Sequence, residues 1–186
     1  MRPTATWDLQ GFVMTCRNDC VATGENEIPE PLRDLMAGKA FQKQLNTFDV
    51  VILGRHAHEA MPNTENRTRV ILSSDATALE HKEGGWWWNP SEMPVENMLR
   101  LVAPSGGNVA IHGGRITLTY FLQNELNTLH MFRAESVAIK DGLKLFQVSD
   151  RLVSLDDVLR NSGMQLIERK LIDLKAPLSL STWQRD

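Results

Sequence analysis

Three short apolar runs constrain this chain more than any other feature. They are Val50-Val51-Ile52-Leu53, Val70-Ile71-Leu72 and Val109-Ala110-Ile111, each followed at once by small, polar or basic residues. A strand that is apolar at every position suits a sheet covered on both faces, as when parallel strands are linked through helices. Such strands point the same way, so the loops that follow them reach one edge of the sheet. In open α/β sheets that edge is where ligands bind. One loop carries Gly54, Arg55 and His56, the second Ser73 and Ser74, and the third Gly113 and Gly114 at the opening of a helix. An Arg fork donates two parallel hydrogen bonds to a phosphate, hydroxyls add donors, and glycines let backbone N–H groups approach it closely. Together these residues suit a ligand with several phosphates, and we read a dinucleotide site.

Each element taken alone is ambiguous. Gly-Gly also reads as a plain turn, and Arg55 as a solvated residue at a strand end. The glycines do not form G-x-G-x-x-G, and no acidic residue ends a second strand as that fingerprint requires, so the expected dinucleotide fold is not the Rossmann one.

Around these runs, strand and helix patterns alternate. Gly11–Thr15 reads as a first strand, and residues 23–31 as a loop. Apolar residues from Leu32 to Phe48 recur near helical period, with Gly38 as a weak point. A short helix follows at Ala57–Met61, while residues 75–94, including Trp86-Trp87-Trp88, read as irregular. Val95, Met98, Leu99 and Val102 follow i, i+3, i+4, i+7, an amphipathic helix. Arg115–Leu126 reads as the helix after the glycine pair, Leu129–Ala134 as a strand, and Ser154–Arg160 as a short capped helix. Gln165–Leu174 and Leu178–Trp183 read as a closing antiparallel hairpin. The fold class is α/β with an antiparallel end.

The 186 residues suit a single domain over 1–186. A net charge of −3 argues against a nucleic-acid surface, which calls for a basic excess. No apolar stretch approaches the ~20 residues of a membrane span, and the opening Met1-Arg2-Pro3-Thr4 lacks the apolar core of a signal peptide. Cys16 and Cys20 read as half-buried thiols rather than a disulfide or metal pair. These features together suggest a cytoplasmic protein; a homodimer is compatible with the sequence, which does not define the assembly. His56-x-His58-Glu59 invites a metal reading, but His81, His112 and His130 are scattered and no further carboxylate stands at ligand spacing. Three consecutive tryptophans cannot all face one core, so packing of a loop on the sheet and a wall over a pocket both remain open.

With these residues in view, the chain resembles the dihydrofolate-reductase-like superfamily, which includes dihydrofolate reductases and the reductase domain of the riboflavin pathway. The resemblance lies in VILGRHAHEAMPNTENRTRVILSS, GGRITLTYFLQNEL, ESVAIKDGLKLF and GFVMTCRNDCVATGENEIP, and covers roughly residues 11–150. It implies a central, mostly parallel eight-stranded sheet flanked by helices, with NADPH bound across the strand ends. By position, Gly54, Arg55, His56, Leu72, Ser73 and Ser74 would meet the adenosine phosphates. Gly113, Gly114, Arg115 and Ile116 would lie beneath the pyrophosphate, and Met14, Thr15 and Ala22 along the nicotinamide. The family's acid on the first helix corresponds to Asp34 or Glu30, and the substrate would lie against Phe41 and Phe132.

The chain departs from the pattern in places. Ala57 stands where the family has Thr, and Met131-Phe132-Arg133 where folate enzymes place a Thr. Asn127-Thr128 replaces the riboflavin-type Asp-Glu, and Ala134-Glu135 replaces its Ala-Pro. These positions bear on the substrate rather than the fold. The expected function is NADPH-dependent reduction of a pterin or related heterocycle, of dihydrofolate or dihydromethanopterin type. The alternatives are a non-catalytic nucleotide-binding protein of the same fold, a riboflavin-pathway pyrimidine reductase and a metal-dependent hydrolase.

Overall fold

The apolar runs lie side by side in the middle of one sheet. The computed structural model describes residues 5–82, 84–122, 126–146 and 153–186; the N-terminal Met1–Thr4 and part of the expected helix end near Leu126 lie outside the described residues. Six neighbouring strands are parallel: β8 (Thr128–Ala134), β1 (Trp7–Cys16), β7 (Gly107–His112), β3 (Val50–Gly54), β4 (Thr68–Leu72) and β6 (Gly85–Trp88). On one side β8 continues into antiparallel β11 (Leu178–Arg185) and β10 (Met164–Asp173), the expected closing hairpin. On the other, β6 pairs antiparallel with β5 (Leu79–Lys82). β2 (Cys20–Ala22) and β9 (Leu143–Lys144) form a separate antiparallel pair.

Successive residues of β3 enter different cores, which is why the whole run is apolar. Val51 and Leu53 pack under α1 (Glu30–Ala37), α2 (Lys39–Leu45) and α3 (Arg55–Ala60), together with Leu32, Met36, Phe41 and Ala57. Val50 and Ile52 pack on the opposite face with Met98 and Leu99 of α4 (Val95–Val102), Leu118 and Phe121 of α5 (Arg115–Leu122), and Leu155 and Leu159 of α6 (Leu155–Asn161). Side chains this large and this buried contribute roughly 1.5–3 kcal/mol each, so the two layers supply most of the driving force. In α6, Ser154 and Asp157 close a reciprocal capping box, as its sequence pattern predicts.

Three expectations about elements change. The sheet has nine strands among the described residues rather than eight, because the segment read as irregular contributes two strands, Leu79–Lys82 and Gly85–Trp88. Their Trp run is β6, held between β4 and the β5 hairpin arm. Period-2 alternation sends Trp86 and Trp88 to one layer and Trp87 to the other. Trp88 is fully buried, its indole N–H donating to Met93 O at 2.8 Å. The helix expected through Phe48 is two helices, because Gly38 adopts extended backbone (φ −69°, ψ 155°) between them. Finally, α3 begins directly after β3, two residues earlier than expected.

Candidate cofactor and substrate cleft

Because β3, β4, β6 and β7 run parallel, the loops after them converge, and a cleft of about 1100 Å³ opens at that edge. Gly54, Arg55 and His56 reach it from β3, and Leu72, Ser73 and Ser74 from β4. Gly113, Gly114, Arg115 and Ile116 reach it from β7 and the start of α5. Met14 of β1 and Ala22 of β2 form the facing wall, with Leu143, Leu145 and Phe146 beside them.

The two glycines have different reasons to be there. A Cβ on Gly113 would stand 2.3 Å from Leu118 Cγ, so this glycine is required by the packing of α5 against β7. A Cβ on Gly114 would meet nothing within 4 Å, so its Cα faces open space in the cleft. Only the second leaves room for a ligand to touch the backbone.

Arg55 reaches Asp75 at 3.4 Å, but both side chains are more than half exposed. Such a pair is worth little, and the guanidinium is free to turn to an anion in the cleft. Ser73 is buried and its Oγ accepts from Asp75 N at 3.2 Å, while Ser74 is exposed. The loop carrying them is tied down by Asn89, which sequence reasoning missed. Asn89 is buried; its Nδ2 donates to Ser74 O and Ala76 O, both at 3.1 Å, and its Oδ1 accepts from Ser91 N and Oγ. Asn89, Pro90 and Ser91 also line the cleft. The signal was present: Trp86-Trp87-Trp88-Asn89-Pro90 is a further apolar run that ends in a polar turn.

Five predicted residues lie elsewhere. Thr15 is fully buried between β1 and β8, its hydroxyl donating to Phe132 O at 3.3 Å. Phe41 and Phe132 are fully buried with Phe12 in an aromatic cluster, with centroids 5.0–5.1 Å apart, and they support the cleft from behind rather than lining it. Glu30 and Asp34 are exposed, because α1 buries Leu32 and Met36, and Asp34 lies two residues, about 200°, from each. Met36, not an acid, is what α1 contributes to the cleft. Among the described residues lining it there is no Asp or Glu, and the ionisable side chains are Arg55, His56, His112 and Arg115.

The histidines separate by environment. His130 is half-buried and satisfied, with Nε2 2.7 Å from Gln10 Oε1 and Nδ1 3.3 Å from Thr182 Oγ1. His58 lies 3.2 Å from the Arg69 guanidinium; burial and that cation both lower its pKa, and a second cation there would be unfavourable. Among the described residues no group of three or more His, Cys, Asp or Glu is gathered for a metal ion. His112, at the end of β7, is 2% exposed, and neither ring nitrogen has a hydrogen-bond partner. Burial, with help from Arg69 and Arg67, lowers its pKa to about 4, so the ring is neutral at pH 7.

A mostly parallel sheet with helices on both faces, an antiparallel C-terminal hairpin and a cleft across its strand ends is the arrangement of the dihydrofolate-reductase-like fold. Solved structures of that fold superpose over nearly the whole chain. A dihydrofolate reductase from Enterococcus faecalis, complexed with NADP(H) and RAB-propyl, matches with a TM-score of 0.64 at 18% identity, covering 96% of each chain. A protein from Shewanella sp. PV-4 described as a putative riboflavin biosynthesis protein matches with a TM-score of 0.65 at 15% identity, covering 96% of this chain and 99% of that one. No protein-family model and no curated protein sequence matches the chain.

Proposed function

We propose that the protein is an NADPH-dependent reductase acting on a pterin or a related flat heterocycle. The observation that carries this is the convergence of Arg55, Ser73, Ser74 and the open Gly114 backbone on one cleft beside an apolar wall. That donor set suits the nicotinamide dinucleotide with a 2′-phosphate: Arg55 and the two serines toward the adenosine phosphate, Gly114 and the start of α5 toward the pyrophosphate. The bound cofactor supplies the hydride, which passes to a C=N bond of the acceptor. The protein's own part is alignment. Met14 and Ala22 flank the nicotinamide end, and Met36 with Ile28 and Ala57 forms an apolar seat for a planar ring. With no carboxylate among the described residues of the cleft wall, the proton that completes reduction comes from solvent.

The same lack of an acid favours a second reading, a nucleotide-binding protein of this fold without turnover. One assay separates them. Purified protein with NADPH and 7,8-dihydrofolate or another dihydropterin is followed by the loss of reduced-nicotinamide absorbance. Steady oxidation that requires the dihydropterin supports the reductase. Tight NADPH binding with no turnover on any dihydropterin or on the riboflavin-pathway pyrimidine supports the second reading, and no NADPH binding sinks both.

A further inference from the structure

His112 is a side chain for which the fold alone gives no reason. It is the last residue of β7, next to the glycine pair, and lines the cleft on the face that carries α1, α2 and α3. Its neighbours on that wall, Met14, Ile28, Met36 and Ala57, are all apolar. Phe41 packs edge-on to the ring at 5.5 Å. The ring is almost wholly buried, yet no other residue hydrogen-bonds either nitrogen; only the residue's own backbone bears on the ring as a hydrogen-bonding group, raising its pKa against the effect of burial. A buried polar group left unbonded is costly, and a Leu or Met would fill the same volume without that cost. An unsatisfied donor and acceptor on the wall of a cleft are satisfied when a ligand occupies it.

We propose that His112 is the residue that hydrogen-bonds the acceptor heterocycle, its buried and otherwise unpartnered imidazole offering a donor and an acceptor to a dihydropterin ring. This rests on reading the cleft as the reductase site. A neutral imidazole has one N–H and one lone pair. The carbonyl, ring N–H and amino groups along one edge of a dihydropterin offer both an acceptor and a donor. The charged groups that bear on His112 are Arg69 and Arg67, and both are cations. Among its described residues the cleft wall carries the cations Arg55 and Arg115 and no carboxylate, so a protonated heterocycle would meet repulsion with nothing to offset it, and the neutral form is selected. His112 thus replaces an ion pair with a neutral hydrogen bond as the means of orienting the substrate.

Calorimetric titration tests this with 7,8-dihydrofolate as the probe, on wild type, His112→Leu and His112→Gln, each saturated with NADP⁺. The Leu variant should bind dihydrofolate about 5–150-fold more weakly, the range for leaving a buried polar group unpaired. Gln keeps a donor and an acceptor and should stay within about threefold of wild type. NADP⁺ affinity should hold in both variants and neither thermal midpoint should fall, which a purely structural role for His112 would not allow. Should Leu not fit, His112→Met gives the same comparison, and failure of both to fold assigns the ring to the core and overturns the proposal. Wild-type affinity for dihydrofolate in the Leu variant also overturns it. So does a wild type that binds NADP⁺ but not dihydrofolate, which leaves the cofactor reading standing. A wild type that binds no NADP⁺ removes both.

Discussion

Acid should destabilise this protein partly through one imidazole, and His112→Leu isolates the effect. The unfolded chain holds His112 near its ordinary pKa of 6.5, while burial beside Arg69 and Arg67 lowers the folded value to about 4. Below pH 6.5 the unfolded state therefore binds more protons than the folded state, so stability falls as pH drops toward 4 and the loss levels off below it. At about 1.4 kcal/mol for each pH unit between the two values, the full loss is roughly 3 kcal/mol, with about 2–3 kcal/mol reached by pH 4.5. His58 and His130 also have lowered pKa values through burial, but both variants retain them, so they cancel in the difference. Urea unfolding of wild type and His112→Leu at pH 7.5 and pH 4.5 measures it. At pH 7.5 the Leu variant should equal or exceed wild type, because an unbonded polar ring has been replaced by an apolar side chain. At pH 4.5 its advantage should grow by the stated amount. A stability difference independent of pH would refute a neutral, desolvated His112 in the folded state.

The other expectations follow from the cleft. Arg55→Ala should weaken NADPH binding by about 1–3 kcal/mol and leave NADH binding nearly unchanged, since a charge-assisted bond to the extra phosphate is lost and the exposed pair with Asp75 contributes little; equal losses for both cofactors in fluorescence titration would remove Arg55 from the 2′-phosphate. Gly114→Val should fold and lose NADPH binding, whereas Gly113→Val should cost roughly 1–3 kcal/mol or more of stability by driving a side chain into Leu118. Paired melting curves and NADPH titrations check both, and normal affinity in folded Gly114→Val would reduce the pair to a turn. Asp34→Asn, exposed on α1, should leave turnover of a dihydropterin within about twofold at every pH. A large, pH-dependent loss would mean that α1 turns inward when substrate binds.

The amino-acid pattern alone was enough to locate the sheet edge and the half of the cleft that carries Arg55, Ser73, Ser74 and Gly114. Unbroken apolar runs admit few architectures other than a sheet covered on both faces, and parallel strands must deliver their loops to one edge. Arg55, Ser73, Ser74 and Gly114 were therefore legible from position alone, because each follows its strand by one or two residues and little rotation is left to decide. The substrate half was decided only by tertiary structure. Whether α1 shows the cleft Met36 or Asp34 depends on how that helix is rotated on the sheet, and its packing chose Leu32 and Met36 for burial. Phe41 and Phe132 looked like pocket walls because aromatic side chains fill cores and clefts alike, and only the three-dimensional cluster with Phe12 separates the two. Asn89 acts through carbonyls 13 and 15 residues away, and His112 is notable for bonds it does not make. Hydrogen bonds between distant parts of the chain, and their absence, leave no periodicity in a sequence, so these two residues emerge only when the loops are folded together.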